Sequence, residues 1–270
     1  AVIELEQKIR TKAREITDIA ISKVPCTKLS GFSNEQNKVI QEQHRKLLSL
    51  VKQLNAKTEK QVKEAYSRIN SKERLYVKKT ISELEKMNEV QKMMKYKDIE
   101  RIQSISEDAK YVIANYEKNV MEMAILIDLH FLGELTPENL GVYYWILEGK
   151  STRKVKADED AGAKEAMDTF STNRLLLMHN HPSTGTFSGQ DLKTFWNNPS
   201  IYIITAIGND GSVYILQKDY NFDAEKLAMG YGHYAKKYWN RTNNGTLAIR
   251  EILKNASDYG LIYKEGRHRA

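Results

Sequence analysis

Apolar residues recur at three- and four-residue intervals through the first 120 positions, and then the spacing changes. Ile9, Ala13, Ile16, Ala20 and Val24 form a helical stripe. Pro25 ends it, and "CTKLSGFSN" reads as a loop. From Glu35 to Met94 there is neither glycine nor proline. Within that stretch Ile40, Leu47, Val51 and Leu54 keep the helical spacing, as do Val62, Tyr66, Ile69 and Val77. Ile81, Leu84, Met87 and Val90 continue it. One unbroken helix of that length is rare in a compact domain, so a break at Asn70–Ser71 and a helical hairpin are expected. A further helix is predicted over about residues 98–118. The heptad spacing is too loose for a coiled coil.

At Met123 the texture becomes that of strands. "MAILIDL", "GVYYWILEG" and "NRLLLMHNH" are short, dense and rich in aliphatic or aromatic residues. "SIYIITAIGNDGSVYILQK" gives two more strands, joined by Asn209-Asp210-Gly211 as a hairpin turn. Helical stretches at about 157–170 and 189–197 separate the strands, so a mixed sheet flanked by helices is expected. Beyond Asp223 the pattern is helical again, at about 223–240 and 246–257. The fold class read from this order is α+β. A helical region over 1–118 precedes a mixed-sheet domain over 119–222, and a helical extension occupies 223–270.

Charge sharpens this division. Residues 1–120 hold 25 Lys and Arg against 17 Asp and Glu, a balance of +8, whereas the remaining 150 balance at −1. The basic half could face an acidic partner, but its charges are interspersed, as on a solvated helical surface. With no recognisable DNA-binding motif, nucleic acid is not expected as a partner. No apolar run is long enough to span a membrane, and the charged N-terminal stretch lacks the apolar centre of a secretory signal. The single cysteine, Cys26, excludes an internal disulfide and gives no sign of a nucleophile. A cytoplasmic setting is the default expectation.

The chemistry concentrates in "LLLMHNHPSTGTFSGQDLKTF", residues 175–195. Residues two apart on a strand share a face, so His179 and His181 project together at the strand end while Asn180 turns away. Ser188 stands where a helix should begin, and Asp191 falls in its first turn, facing back towards the strand end. Two imidazoles and one carboxylate with a fourth position open are the donor set of a catalytic zinc site. Such a site needs a general base. Glu122, at the head of the first strand, is the leading candidate; Glu134, Glu138 and Glu148 remain rivals on spacing. His44, His130, His233 and His268 are not expected to bind metal.

His-x-His, a loop and Ser-x-x-Asp, with an upstream glutamate, resembles the JAMM motif of the JAB/MPN metalloprotease family. The likeness covers about residues 119–220, and "HNHPS" is closer to its bacterial branches, which include RadC-like proteins, than to its eukaryotic isopeptidases. The resemblance implies that His179, His181 and Asp191 bind Zn2+, that Glu122 is the general acid/base, and that Ser188 helps hold an oxyanion. It implies a protein substrate, with a ubiquitin-like modifier, a phage-encoded protein and a toxin precursor all open, and N-terminal helices that position the substrate or dock the enzyme on a larger assembly. The loop from His181 to Ser188 holds six residues where the family's usual loop holds seven, which bears most on the aim of Ser188. The competing functions are a JAB/MPN scaffold without activity and a RadC-like DNA-associated protein.

Overall fold

The computed structural model describes residues 34–116, 122–131, 137–149, 155–181, 185–208, 212–241 and 244–266. The stripe at residues 9–24, Pro25, Cys26, Glu134, the Asn209–Gly211 turn and His268 lie outside them. The described residues divide into two compact units: residues 50–116 form one, and residues 34–49 with 122–266 form the other.

The first unit is helical. Helix α1 (Asn34–Arg68) runs into it and is followed by α2 (Ser71–Leu84), α3 (Glu89–Arg101) and α4 (Glu107–Asn115). The break at Asn70 has a clear cause. Its side chain accepts from the Glu73 N–H while the Glu73 carboxylate accepts from the Asn70 N–H, a reciprocal capping box. Asn88 and Gln91 repeat the device at the start of α3. Ser106 caps α4, and its own N–H donates to Glu73 (2.9 Å), tying two helix starts together. These caps correct two expectations. The stripe from Ile81 does not run through to Val90, which is exposed beyond the Asn88 cap. The helix expected over 98–118 is instead the end of α3 and the separately capped α4. The core gathers Val62, Ile69, Val77, Ile81, Leu84 and Ile113.

The second unit is built on a six-stranded mixed sheet in the order β2-β1-β3-β4-β5-β6. Its strands are β1 (Met123–Asp128), β2 (Tyr144–Glu148), β3 (Leu175–His181), β4 (Ile201–Gly208), β5 (Val213–Lys218) and β6 (Leu261–Gly266). Only the β3–β4 pairing is parallel, and the crossover between these strands carries helix α6 (Gly189–Asn197). One face packs against α5 (Ala161–Thr169), α6, α7 (Ala224–Lys237) and α8 (Asn244–Lys254) around Leu126, Leu177, Phe195, Ile204 and Leu216. Residues 223–270 read as wholly helical in sequence, yet β6 lies within them and pairs along β5 as an edge strand. Gly260 makes this possible. It takes φ +65°, and a Cβ there would lie 2.4 Å from the Asn221 carbonyl oxygen, so no other residue turns the chain into β6 without strain.

Two buried polar contacts fasten the sheet. Arg174, just before β3, donates two hydrogen bonds to Asp128 at the end of β1 (3.0 and 2.6 Å). Asp128 is 1% exposed and also accepts from the His130 N–H (3.0 Å). Burial alone would raise its pKa, but the Arg174 and His130 contacts outweigh that and hold it below its usual range. On the opposite sheet face, His44 of α1 meets the Thr205 hydroxyl (3.0 Å). Burial lowers the His44 imidazole to about 4. The unfolded chain therefore takes up a proton near pH 6.5 that the folded chain refuses until about pH 4. Stability is full above pH 6.5 and falls as the pH drops towards 4, by about 3 kcal/mol from this group alone. Urea unfolding at stepped pH is expected to show this slope, and His44→Gln, which cannot titrate, is expected to flatten it.

Candidate metal centre

All seven residues of β3 are buried, and its last three set the site. His179 and His181 share one face, with their Nε2 atoms 3.0 Å apart. Asn180 faces the other way, where its side-chain oxygen accepts the Met123 N–H (2.7 Å) and locks the end of β3 to the start of β1. The chain then turns into α6. Ser188 caps that helix: its hydroxyl oxygen accepts from the Asp191 N–H (3.2 Å), and the Asp191 carboxylate accepts from the Ser188 N–H. The capping box fixes the aim of Asp191, one carboxylate oxygen towards each imidazole, at 3.4 Å from His179 Nε2 and 3.4 Å from His181 Nε2.

These distances fit an ion. A tetrahedral metal with bonds of about 2.0–2.1 Å separates its ligand atoms by about 3.3 Å. The two Nε2 atoms, 3.0 Å apart, come near that value, and each imidazole has one Asp191 oxygen at 3.4 Å, Oδ1 for His179 and Oδ2 for His181. Among the described residues, buried His179 and His181 and half-buried Asp191 form a group whose donor atoms all lie within 4.8 Å of one another, and that group could hold a metal ion. The tautomer needed is set nearby. His181 Nδ1 lies 3.1 Å from the Gly185 carbonyl, an acceptor only, so Nδ1 carries the proton and Nε2 keeps its lone pair. Burial opposes charge on His181, but Asp191, Glu122 and the Gly185 carbonyl outweigh it and raise its pKa. Asp191 is held well below its usual range, because the two histidines overcome its burial.

The register places the remaining candidates. β1 pairs antiparallel with β3 so that Ala124 faces His179; continuing that register sets Glu122 across from His181, on the same sheet face. The electrostatic effect of Glu122 on His181 agrees with that placement. Glu148 pairs with Met123 and therefore belongs to the other face. Glu138 sits in an exposed 3-10 turn, Pro137–Asn139. His44 serves Thr205, and His233 packs on Tyr234.

A cleft of about 440 Å3 opens beside His179 and Asp191, lined by Ala124 and Leu177 of the sheet and by residues of α5 and α6. Lys164, Gln190 and Lys193 line it, and nothing in the sequence pattern singles them out. At its far end Asn198 presents its backbone carbonyl to Lys218 Nζ (2.9 Å). That lysine lies between the rings of Phe195 (4.8 Å) and Phe222 (5.0 Å), and burial lowers it to about 8. Its only sequence signal is a lysine ending an apolar strand. No family model, curated protein or solved structure matches this chain.

Proposed function

We propose that the chain is a zinc-dependent peptidase or isopeptidase of the JAB/MPN type. The observation that carries this reading is the grouping of His179, His181 and Asp191 within metal-binding reach, with Glu122 just ahead of β1, two residues before the Ala124 that pairs with His179. A scaffold would need the fold but not this donor set beside an aligned carboxylate.

Zinc, when bound, supplies a Lewis acid for the scissile carbonyl and brings water to a pKa near about 7. The protein's own residues supply the rest. Glu122 takes a proton at its carboxylate and delivers it to the leaving amine. The Ser188 hydroxyl oxygen is engaged by the Asp191 N–H, which leaves its hydrogen free to donate to an oxyanion. His181 stays oriented by Gly185, and Asp191 by its cap.

A panel of peptides and lysine-linked isopeptides tests this directly. Hydrolysis is expected to disappear on chelation and to return with added zinc. Cleavage indifferent to chelation, or zinc-loaded protein that cleaves none of the panel, would contradict it; the second result would favour a scaffold.

A further inference from the structure

The outward side of helix α7 and the turn after it combine basic residues with an exposed tryptophan. Between Glu225 and Glu251 the chain carries five Lys and Arg and no acidic residue. Helical spacing puts Lys226, Met229, His233, Lys236 and Lys237 along one side, away from Leu227, Tyr231 and Tyr234, which pack into the core. Just past the helix, a turn closed by hydrogen bonds from the Trp239 N–H to Lys236 (3.2 Å) and from the Arg241 N–H to Tyr238 (2.8 Å) holds Trp239 in place. Its side chain is 74% exposed.

Each feature alone is ordinary. Lysines at a helix C-terminus complement the helix dipole, and single exposed apolar residues are common. Together they ask for a partner. Among the described residues no carboxylate pairs with Lys236, Lys237 or Arg241. Lys237 instead lies over the rings of Tyr234 (5.7 Å) and Tyr238 (5.3 Å). An exposed indole thus follows Lys236 and Lys237 by three and two residues along the chain, in the turn that also carries Arg241.

We propose that this surface binds single-stranded nucleic acid, its phosphates on Lys236, Lys237 and Arg241 and a base stacked on Trp239. A single strand offers anions and exposed π-faces side by side, which is the pairing found here. An anionic membrane fits less well. Insertion needs a continuous apolar face, and the apolar side of α7 is turned to the core, leaving Met229 as the one aliphatic residue outside. An acidic polypeptide would answer the lysines but leave the indole without a specific role. The overall charge balance of the sequence hides the patch, because acidic residues elsewhere in the same half cancel it.

The test uses the full chain and a fluorescein-labelled oligodeoxythymidine of about 20 nucleotides, followed by anisotropy at increasing salt. Saturable binding is expected, with log affinity falling against log salt at a slope of about −2 from three phosphate contacts. Trp239→Ala is expected to weaken binding about tenfold or more by loss of stacking. Lys236→Glu/Lys237→Glu is expected to weaken it at least as much and to flatten the salt slope, with thermal unfolding of both variants near wild type. Absence of saturable binding at low salt overturns the proposal. So does binding that survives both changes, which would move the contact to another basic region. Polyglutamate or phosphatidylserine vesicles that compete as well as unlabelled oligonucleotide would replace nucleic acid by an acidic protein or a membrane. None of these outcomes depends on the metal centre.

Discussion

Glu122→Gln is expected to leave metal binding intact and to slow hydrolysis by about a hundred- to ten-thousand-fold, the usual contribution of a positioned general base. The amide keeps the size and much of the hydrogen bonding of the carboxylate but cannot accept a proton. Glu122 is not one of the three converging ligands, so zinc content should not change. The result separates a base from a ligand: a ligand change would lower metal content and rate together. Rate measurements on fully metallated protein decide it. A variant as fast as wild type would remove Glu122 from the chemistry. Glu148 could not replace it, since the β1–β2 register turns that side chain to the opposite face.

Arg174→Met is expected to destabilise the second unit by about 1–3 kcal/mol, because it leaves the buried Asp128 carboxylate with the His130 N–H but without its charged partner. The lost contacts include the stacking of the guanidinium over Phe170, 4.2 Å from the ring centroid. Removing both charges, as Arg174→Met with Asp128→Leu, is expected to recover much of the loss, since a buried pair contributes less net stability than breaking it removes. Denaturant unfolding of wild type, the single and the double variant checks this. Equal damage in single and double variants would mean that the ion pair itself, rather than the orphaned carboxylate, stabilises the sheet.

How much of the fold is legible in the sequence depends on whether its cause is local. β1 and β3 announce themselves as dense aliphatic runs because they are buried at every position. The end of α1 is legible because Asn70 caps the start of α2. Asn88 and Ser106 carry the same chemistry but lie inside a continuing helical periodicity, which masks the breaks. β6 escapes the sequence pattern for the opposite reason. It is an edge strand with mixed burial, placed by its pairing with β5 and by the Gly260 turn rather than by its own periodicity. At the site, the ligands are readable from alternation on a strand and from a helix start, both short-range rules. Gly185, Asn180 and the cleft lysines are not, because their roles depend on pairings and packing that no sequence interval encodes.

The measurement that bears most directly on the metal centre is the zinc content of purified wild-type protein beside Asp191→Asn and His179→Gln. Asparagine still accepts the Ser188 N–H, so the α6 cap survives while the anionic ligand is lost. About one zinc per wild-type chain is expected and little in either variant, with melting behaviour otherwise preserved. Wild-type protein that is isolated without metal and takes up none when zinc is added would contradict this, and the peptidase reading would fall with the metal.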